Sequence, residues 1–551
     1  MDKELTYEEG IQRLPDVIKQ MGFTELRPGQ KAPIDHIMNG DDTICILATG
    51  GGKTAIFTIP ALARNWRMIV FSPLIALMRD QEQSLNRKGI KAACINSGQD
   101  EESNRSALED WNRGHLQVLY IAPERLEKEN FINVVNMSPP DMVVVDEAHC
   151  ISQWATTFRS AYLKCGEFVA KYNPKVVVAV TATATDEIVA DIRSKLRIEE
   201  AVLCQNYVPR TNLKLSSEVV EEESAVFRKT LETVRSVNGP CIVYCPTVKD
   251  VASYASYLEQ AGESVTVYHG QLNPSLKAIN QDEFMAGRKR ICVATNAFGM
   301  GIDKPDIECI VHTGPPKSME AVQQEVGRAA RDGRDAKCKM FMSMHGARMQ
   351  EFFWNRENPD SRTVKMAYSL LKDICDSDGI AKITCEELCE RIGSDCGTNV
   401  LSFLEARGCV KRTEASAKVY TFKDPGEELG SFPKTLKQLV ELIRTYGIQS
   451  GEEEGCKLYK IDLSFLVNKL GVAESTVKAK INQLRKDHKL DNAPPYRGKV
   501  TQLLKEPTAE DISAADIRRN DEWGKIEAVR NYILCPDKDK HAFIQKYFEL
   551  S

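Results

Sequence analysis

No apolar run in this chain approaches the length needed to cross a bilayer, so no membrane span and no membrane partner are expected. An apolar leader is missing too. Met1-Asp2-Lys3-Glu4 opens into an acidic segment, where a secretory signal would place a cationic and then an apolar stretch. Cysteine is sparse: 17 in 551 residues are too dilute for a disulfide scaffold. Reduced thiols and an intracellular setting are therefore expected. Excess positive charge is also absent. With 73 Lys+Arg against 78 Asp+Glu, the net charge is -5. A surface coated uniformly in cations is excluded, but a basic groove on an acidic body is not.

What is present is an ordinary globular composition, 42% hydrophobic and 27% charged, in a chain long enough for roughly three to five domains. From about residue 35 to 205, helical stretches alternate with short apolar runs: Ile44-Cys45-Ile46-Leu47, Met68-Ile69-Val70-Phe71, Val118-Leu119-Tyr120-Ile121, Met142-Val143-Val144-Val145 and Val176 to Val180. Runs without polar alternation suit parallel strands covered on both faces. The pattern repeats at Cys241 to Tyr244, Val265 to Tyr268, Ile291 to Ala294 and Cys309 to His312. The fold class is thus α/β, with two doubly wound parallel-sheet lobes at 1–205 and 206–346. Mainly helical, winged-helix-like modules are expected at 347–424 and 425–510, and a helical tail at 511–551. In the first module Thr384 and Glu387 suggest a capping box. Val410-Lys411-Arg412 and Val419-Tyr420-Thr421-Phe422 suggest a wing. The tail reads as a helical hairpin interrupted at Cys535-Pro536.

Three strings carry chemistry. Ala48-Thr49-Gly50-Gly51-Gly52-Lys53-Thr54 follows a strand and opens a helix, the context of a phosphate-binding loop. Backbone N–H groups around Gly50, Gly51 and Gly52 can approach phosphates, Lys53 can reach the β and γ phosphates, and the Thr54 hydroxyl can meet Mg²⁺. Asp146 and Glu147 end a buried strand. Asp146 suits a water-mediated magnesium contact, and Glu147 suits activation of the attacking water. Arg328 and Arg331, in the string from Gln324 to Arg331, are expected on one helical face, where a guanidinium can stabilise transferring phosphate. Together these describe a nucleoside triphosphatase with a site shared between two lobes.

The strings around these motifs resemble the RecQ family of superfamily-2 DNA helicases, over about residues 15 to 346. Gly22-Phe23 and Leu26-Arg27-Pro28-Gly29-Gln30 resemble its adenine motif, and Asp146 to Trp154, reading DEAHCISQW, is specific to it. Ser72 to Gln81, Ile121 to Leu126, Thr181 to Thr185, Tyr268-His269-Gly270 and Ala294 to Pro305 also match. The resemblance implies two RecA-like lobes, ATP and Mg²⁺, and 3′–5′ translocation on single-stranded and forked DNA. It implies nucleotide contacts from Phe23, Arg27, Gln30, Gln324, Asp303 and Arg331, and DNA contacts from Pro73, Arg125, His269 and Thr295. It also implies an aromatic DNA loop with Trp154, Phe158 and Arg159; without the resemblance these aromatics would read as core.

Departures from the family pattern are specific. Ala155-Thr156-Thr157 stands where the family usually has Gly-His-Asp, and Ala330 replaces a usual glycine. The first change bears on how DNA contact is coupled to hydrolysis. Trp523 to Leu550 resembles the helical part of the family's zinc module, with Cys535 and Tyr547-Phe548 as landmarks, but the later cysteine pair is absent. Zinc is therefore not expected. Cys385, Cys389 and Cys396 read as core cysteines, since Cys385, Leu388, Cys389 and Ile392 share a helical stripe. Lys478 and Lys480 fit phosphate contact and a solvated helix face equally well. Two alternatives to a helicase stay open: a DNA-stimulated translocase or remodeller without strand separation, and a DNA-binding regulator with a degenerate motor. The intact Lys53, Asp146, Glu147 and Arg331 argue against the last. Protein partners and oligomeric state are not legible.

Overall fold

Unbroken apolar strands are stable only when helices cover both of their faces, and the chain builds this arrangement twice. A computed structural model describes residues 4–549, apart from 28, 48–50, 74, 152–158, 183, 207–208, 300–303, 377, 415–418, 429, 431, 454–455, 487–490 and 494–498. The first sheet contains β1 (Thr43–Leu47), β2 (Met68–Phe71), β3 (Ala92–Ile95), β4 (Val118–Ile121), β5 (Met142–Val145), β6 (Val176–Thr181) and β7 (Val202–Asn206). Their order is β3-β4-β2-β5-β6-β1-β7, and every pair is parallel. Alternate residues feed two cores. Ile44, Val143 and Val145 pack with Trp111 and Phe168 on one face. Cys45, Val144 and Val178 pack with Phe57 and Ile59 on the other.

The second sheet contains β8 (Leu213–Val219), β9 (Cys241–Tyr244), β10 (Val265–Tyr268), β11 (Ile291–Ala294), β12 (Cys309–His312) and β13 (Ala336–Met342). It is ordered β10-β11-β9-β12-β13-β8 and is again parallel throughout. The tail belongs to this lobe. The helix Ala509–Leu534 ends just before Cys535-Pro536, and Lys540–Phe548 forms the next helix. Val529, Tyr532, Ile533, Ile544 and Phe548 enter the lobe's core. Lys540 is fully buried. Its ammonium donates to Ser217 Oγ (2.6 Å), Tyr532 O (2.8 Å) and Cys535 O (2.9 Å) and lies 3.8 Å from Asp537 Oδ1, which satisfies the buried cation.

The chain divides into two compact units, Met1–Trp354 with Asp521–Ser551, and Asn355–Asn520. The second unit corrects the expected wing. β15 (Val410–Glu414) pairs with β20 (Lys499–Leu503), which also pairs with β14 (Ile380–Ala381). β16 (Val419–Asp424) joins a different sheet, with β17 (Ile448–Glu453), β18 (Cys456–Asp462) and β19 (Asp491–Ala493). The strands expected to form one hairpin therefore belong to two sheets, and residues 419–493 are inserted between β15 and β20. The reason lies in burial and turn chemistry. Val410 faces a core with Leu388 and Leu404, while Tyr420 and Phe422 face one with Leu436 and Ile481. The intervening Ala415-Ser416-Ala417-Lys418 also lacks the Asn-Gly or Asp-Gly signal of a tight hairpin. Thr384 caps its helix through Glu387 N–H (3.1 Å). Cys396 is buried as expected, and Cys385 packs half-buried against the core of Leu388 and Leu404, whereas Cys389 is half-buried and does not join that core. Cys389 Sγ accepts Gly397 N–H at 3.2 Å, and Cys385 Sγ accepts from Arg412 at 3.5 Å.

In this unit Asp424, on β16, is buried against Arg444, which donates to both carboxylate oxygens at 2.5 and 2.8 Å. Burial pushes the carboxyl up, but the hydrogen bonds from Arg444 and Gly426 outweigh it and hold it below the usual range. A depressed carboxylate contributes stability above the ordinary range and loses it as pH falls through its own value. Asp424→Ala is expected to cost about 3 kcal/mol at pH 7, because the guanidinium loses its partner. Denaturant unfolding checks this: the gap to wild type should shrink toward pH 3, and a gap independent of pH would contradict it.

Candidate active site

Ligands of doubly wound sheets bind beyond the carboxyl ends of the strands. β6 lies between β1 and β5, so the loops after β1 and β5 and the end of β6 open on one edge. The helix Lys53–Ala63 starts at Gly52, which has φ +81°. A Cβ there would lie 2.4 Å from Gln30 Nε2, so the position accepts only glycine. Gln30 is fully buried. Its amide N–H groups donate to Gly51 O (3.1 Å) and Gly52 O (3.2 Å), and its Oε1 accepts Arg27 N–H (2.8 Å). The amide therefore braces the glycine loop. Arg27 is exposed, Phe23 is half-buried against the lobe's core, and Thr54 is half-buried beside Lys53. Gly50 lies outside the described residues.

Lys53 Nζ donates to Glu147 Oε1 at 3.1 Å. Burial works against the ammonium, but the charges of Glu147 and Asp146 more than offset it and raise its pKa. Glu147 has φ +49°, a strained conformation for a side chain of this type. Its own N–H donates to Asp146 Oδ1 at 2.9 Å. Burial pushes Glu147 up, but Lys53, then His149, hold it below its usual value. Asp146 is pushed up to about 6, by burial first and by the Glu147 charge second. Asp146 is thus the first of the two to take up a proton as pH falls. Ser72 Oγ donates to Asp146 Oδ2 at 3.4 Å, and Tyr162 OH to Asp146 O at 3.0 Å. His149 Nδ1 lies 2.9 Å from Thr181 Oγ1 and 3.3 Å from Glu147 Oε2, and burial lowers its pKa. Ser72, His149 and Thr181 stood in motifs without an assigned role. Tyr162 carried no signal, since nothing in its spacing points at Asp146.

The second lobe reaches the same place. Arg331 opposes the Lys53 ammonium, Arg328 favours the Glu147 carboxylate and Glu320 favours the His149 cation. Arg328 and Arg331 do not share a helical face as expected. The helix Met319–Val326 stops at Gly327, and Ala330 has φ +45°, so both arginines sit on a left-handed turn beyond it. That angle also explains why a glycine suits position 330. Arg328 is buried and donates to Gly299 O. Gln324 and Arg331 are half-buried. Asp303 lies outside the described residues.

Four of the residues expected to contact DNA fall at further strand ends, two in each sheet. Pro73 follows β2, and Arg125 ends the turn Pro123–Arg125 after β4. These strands are neighbours in the first sheet. His269 follows β10 and Thr295 follows β11, neighbours in the second. Among the described residues, Arg125 Nε and His269 Nδ1 are buried without a hydrogen-bond partner. Thr295 N–H donates to Tyr268 O at 3.1 Å. Trp154 and Phe158 lie outside the described residues, as do Thr156 and Thr157; Arg159 opens the helix Arg159–Tyr172. Lys478 and Lys480 lie on the helix Glu474–Lys486 of the other unit, with Lys478 Nζ 2.6 Å from Glu474 Oε1.

The donors fit a hard divalent cation. Asp146 and Thr54 supply only oxygen, and the Asp146-Glu147 pair leaves more negative charge than Lys53 alone balances. Among the described residues no helix is long and apolar enough to cross a membrane.

Two family models match the chain: DEAD/DEAH box helicase over residues 27–192 and Helicase conserved C-terminal domain over 225–333. The chain is 37% identical over 315 residues to the probable ATP-dependent DNA helicase RecS of Bacillus subtilis, covering 57% of this chain and 63% of that protein. It is 36% identical over 333 residues to the ATP-dependent DNA helicase RecQ of the same organism, covering 60% and 56%. It thus spans less than two thirds of either relative. Among solved structures, S. cerevisiae Dbp5 bound to RNA and ADP BeF3 superposes with a TM-score of 0.52 at 19% identity, covering 63% of this chain and 93% of that one; this likeness concerns the fold alone. With the lobes, the motif geometry and the relatives in agreement, the chain belongs to the RecQ family of superfamily-2 helicases.

Proposed function

We propose that the protein hydrolyses ATP between its two lobes to move 3′ to 5′ along single-stranded DNA and separate forked duplexes. The observation that carries this reading is the electrostatic convergence of Arg328 and Arg331 from one lobe on Lys53 and Glu147 of the other. Lys53 is held by Glu147. A triphosphate competes for that ammonium, and Glu147, kept ionised, is released to orient water and take its proton. Asp146 and Thr54 would hold Mg²⁺, which neutralises phosphate charge when bound. Arg331 meets the charge developing on the γ-phosphate, with Arg328 beside it, and Asp303 and Gln324 contact the nucleotide from the same lobe. Phe23, Arg27 and Gln30 read the adenine; the brace from Gln30 to the glycine loop couples that reading to phosphate binding.

Closure around ATP and reopening after hydrolysis move the strand ends bearing Pro73 and Arg125 relative to those bearing His269 and Thr295. Trp154, Phe158 and Arg159 engage bases, and Lys478 and Lys480 contact phosphate. The segments 1–205 and 206–346 are the motor in this reading. Repair, recombination or replication in the cytoplasm and nucleoid, or the nucleus, is the setting.

The test uses the full chain with Lys53→Ala as control: ATP hydrolysis with and without single strands, and strand separation on forked, blunt, 3′-tailed and 5′-tailed duplexes. Separation of forked and 3′-tailed substrates only is the expected result. DNA-stimulated hydrolysis without separation would favour a translocase, the reading to which Ala155-Thr156-Thr157 points. Hydrolysis indifferent to DNA would overturn both.

A further inference from the structure

We infer that Arg210, in the segment joining the two lobes, is a positioning residue that holds the turn carrying Arg328 and Arg331. The inference rests on the functional reading above for its catalytic consequence, but its structural basis is independent. The helix Met319–Val326 ends immediately before this turn, which leaves carbonyl groups without helical partners. Arg210 Nη1 donates to Gly327 O at 3.0 Å, and its Nη2 donates to Ala329 O at 2.7 Å and Ala330 O at 2.6 Å. The carbonyls it holds bracket Arg328 and immediately precede Arg331. Asn212, two residues on, donates to Ala330 O at 3.3 Å and Arg334 O at 2.8 Å. The joining segment therefore grips the turn from one side, while Ala330 N–H is held by Ile307 O at 2.9 Å from the other.

The grip has work to do because Ala330 is left-handed, with φ +45°. An L-residue disfavours that region, since its Cβ crowds the backbone. Left alone, the turn would relax toward negative φ and swing Arg331 away from Lys53. A planar guanidinium can hold several carbonyls in a fixed arrangement, whereas a lysine ammonium is a mobile point charge. Because Arg210 sits between β7 and β8, any movement of the joining segment reaches both arginines directly. Opening and closing of the lobes thus carries the turn with it.

The test compares wild type, Arg210→Ala, Arg210→Lys and Arg210→Ala with Ala330→Gly. Two quantities are read: steady-state ATP hydrolysis, and amide hydrogen exchange of the peptide spanning 327–333 in the absence of nucleotide. Arg210→Ala should lower kcat by about one to two orders of magnitude with KM within about threefold, and should speed exchange in that peptide. Arg210→Lys should resemble it. Glycine at 330 reaches positive φ without help, so the double variant should recover about two- to fivefold of the lost kcat. A purely structural role would show no such recovery and would overturn the inference, as would a raised KM at unchanged kcat. If the wild type hydrolyses nothing, the functional reading fails by itself. The exchange result then still decides: faster exchange in Arg210→Ala supports the grip, and unchanged exchange refutes it.

Discussion

Lys53→Ala should reduce ATP hydrolysis by about 10³-fold or more while the protein remains folded. Two losses combine. The first is the ammonium that meets the phosphates. The second is the cation that balances Asp146 and Glu147, which are adjacent and buried, with Glu147 bonded to Lys53. Asp146 already titrates at about 6, through burial and the Glu147 charge, against the pull of Lys53. Without Lys53 both carboxyls rise, Asp146 further above its usual value and Glu147 from below it. A carboxyl whose folded pKa exceeds its unfolded one favours the fold at low pH and loses that contribution as pH rises through the folded value. The variant should therefore match wild type in thermal stability near pH 5 and fall behind it by pH 8. In the wild type, hydrolysis should decline below pH about 6 as Asp146 takes up a proton. Hydrolysis in Lys53→Ala above about a tenth of wild type would contradict the assignment, as would a stability gap that widens toward acid.

Arg331→Ala should lower kcat by about 10³-fold with only a small change in KM, because an arginine finger acts on charge that appears in the transition state. Its unfolding temperature should stay close to that of wild type. Arg328→Ala is expected to differ, since Arg328 is buried and bonded to Gly299 O. It should lose stability as well as activity. Arg331→Lys should remain impaired, because a point charge does not reproduce the guanidinium fork. Steady-state kinetics and thermal unfolding on the same preparations separate the two arginines. A raised KM at wild-type kcat in Arg331→Ala would remove it from the transition state and make it a binding residue.

Local chemistry was legible from the residues. Gly52-Lys53-Thr54 reads as a phosphate loop because the glycine, the lysine and the helix start are contiguous, and the structure gives Gly52 the left-handed angle that such a loop uses. The strands were legible because each is an unbroken apolar run. The pair Arg328 and Arg331 was found, but its geometry was not: spacing by three suggests a helical face, and only the end of the helix at Gly327 and the φ of Ala330 reveal a turn. In the second unit, β15 and β16 are close in sequence and look like one wing, yet their buried side chains face different cores.

By itself, then, the sequence determined the two α/β lobes, the phosphate loop, the acid pair and the family, because each is written in contiguous residues whose physics is local. Only the tertiary structure decided which groups meet across distance. Arg210 reaches a carbonyl 120 positions away, Lys53 reaches Glu147 at a separation of 94, and β15 finds β20 rather than β16. Periodicity tells a segment which face to bury but not against what, so sheet membership, the Gln30 brace and the grip of Arg210 are settled by packing of the whole chain.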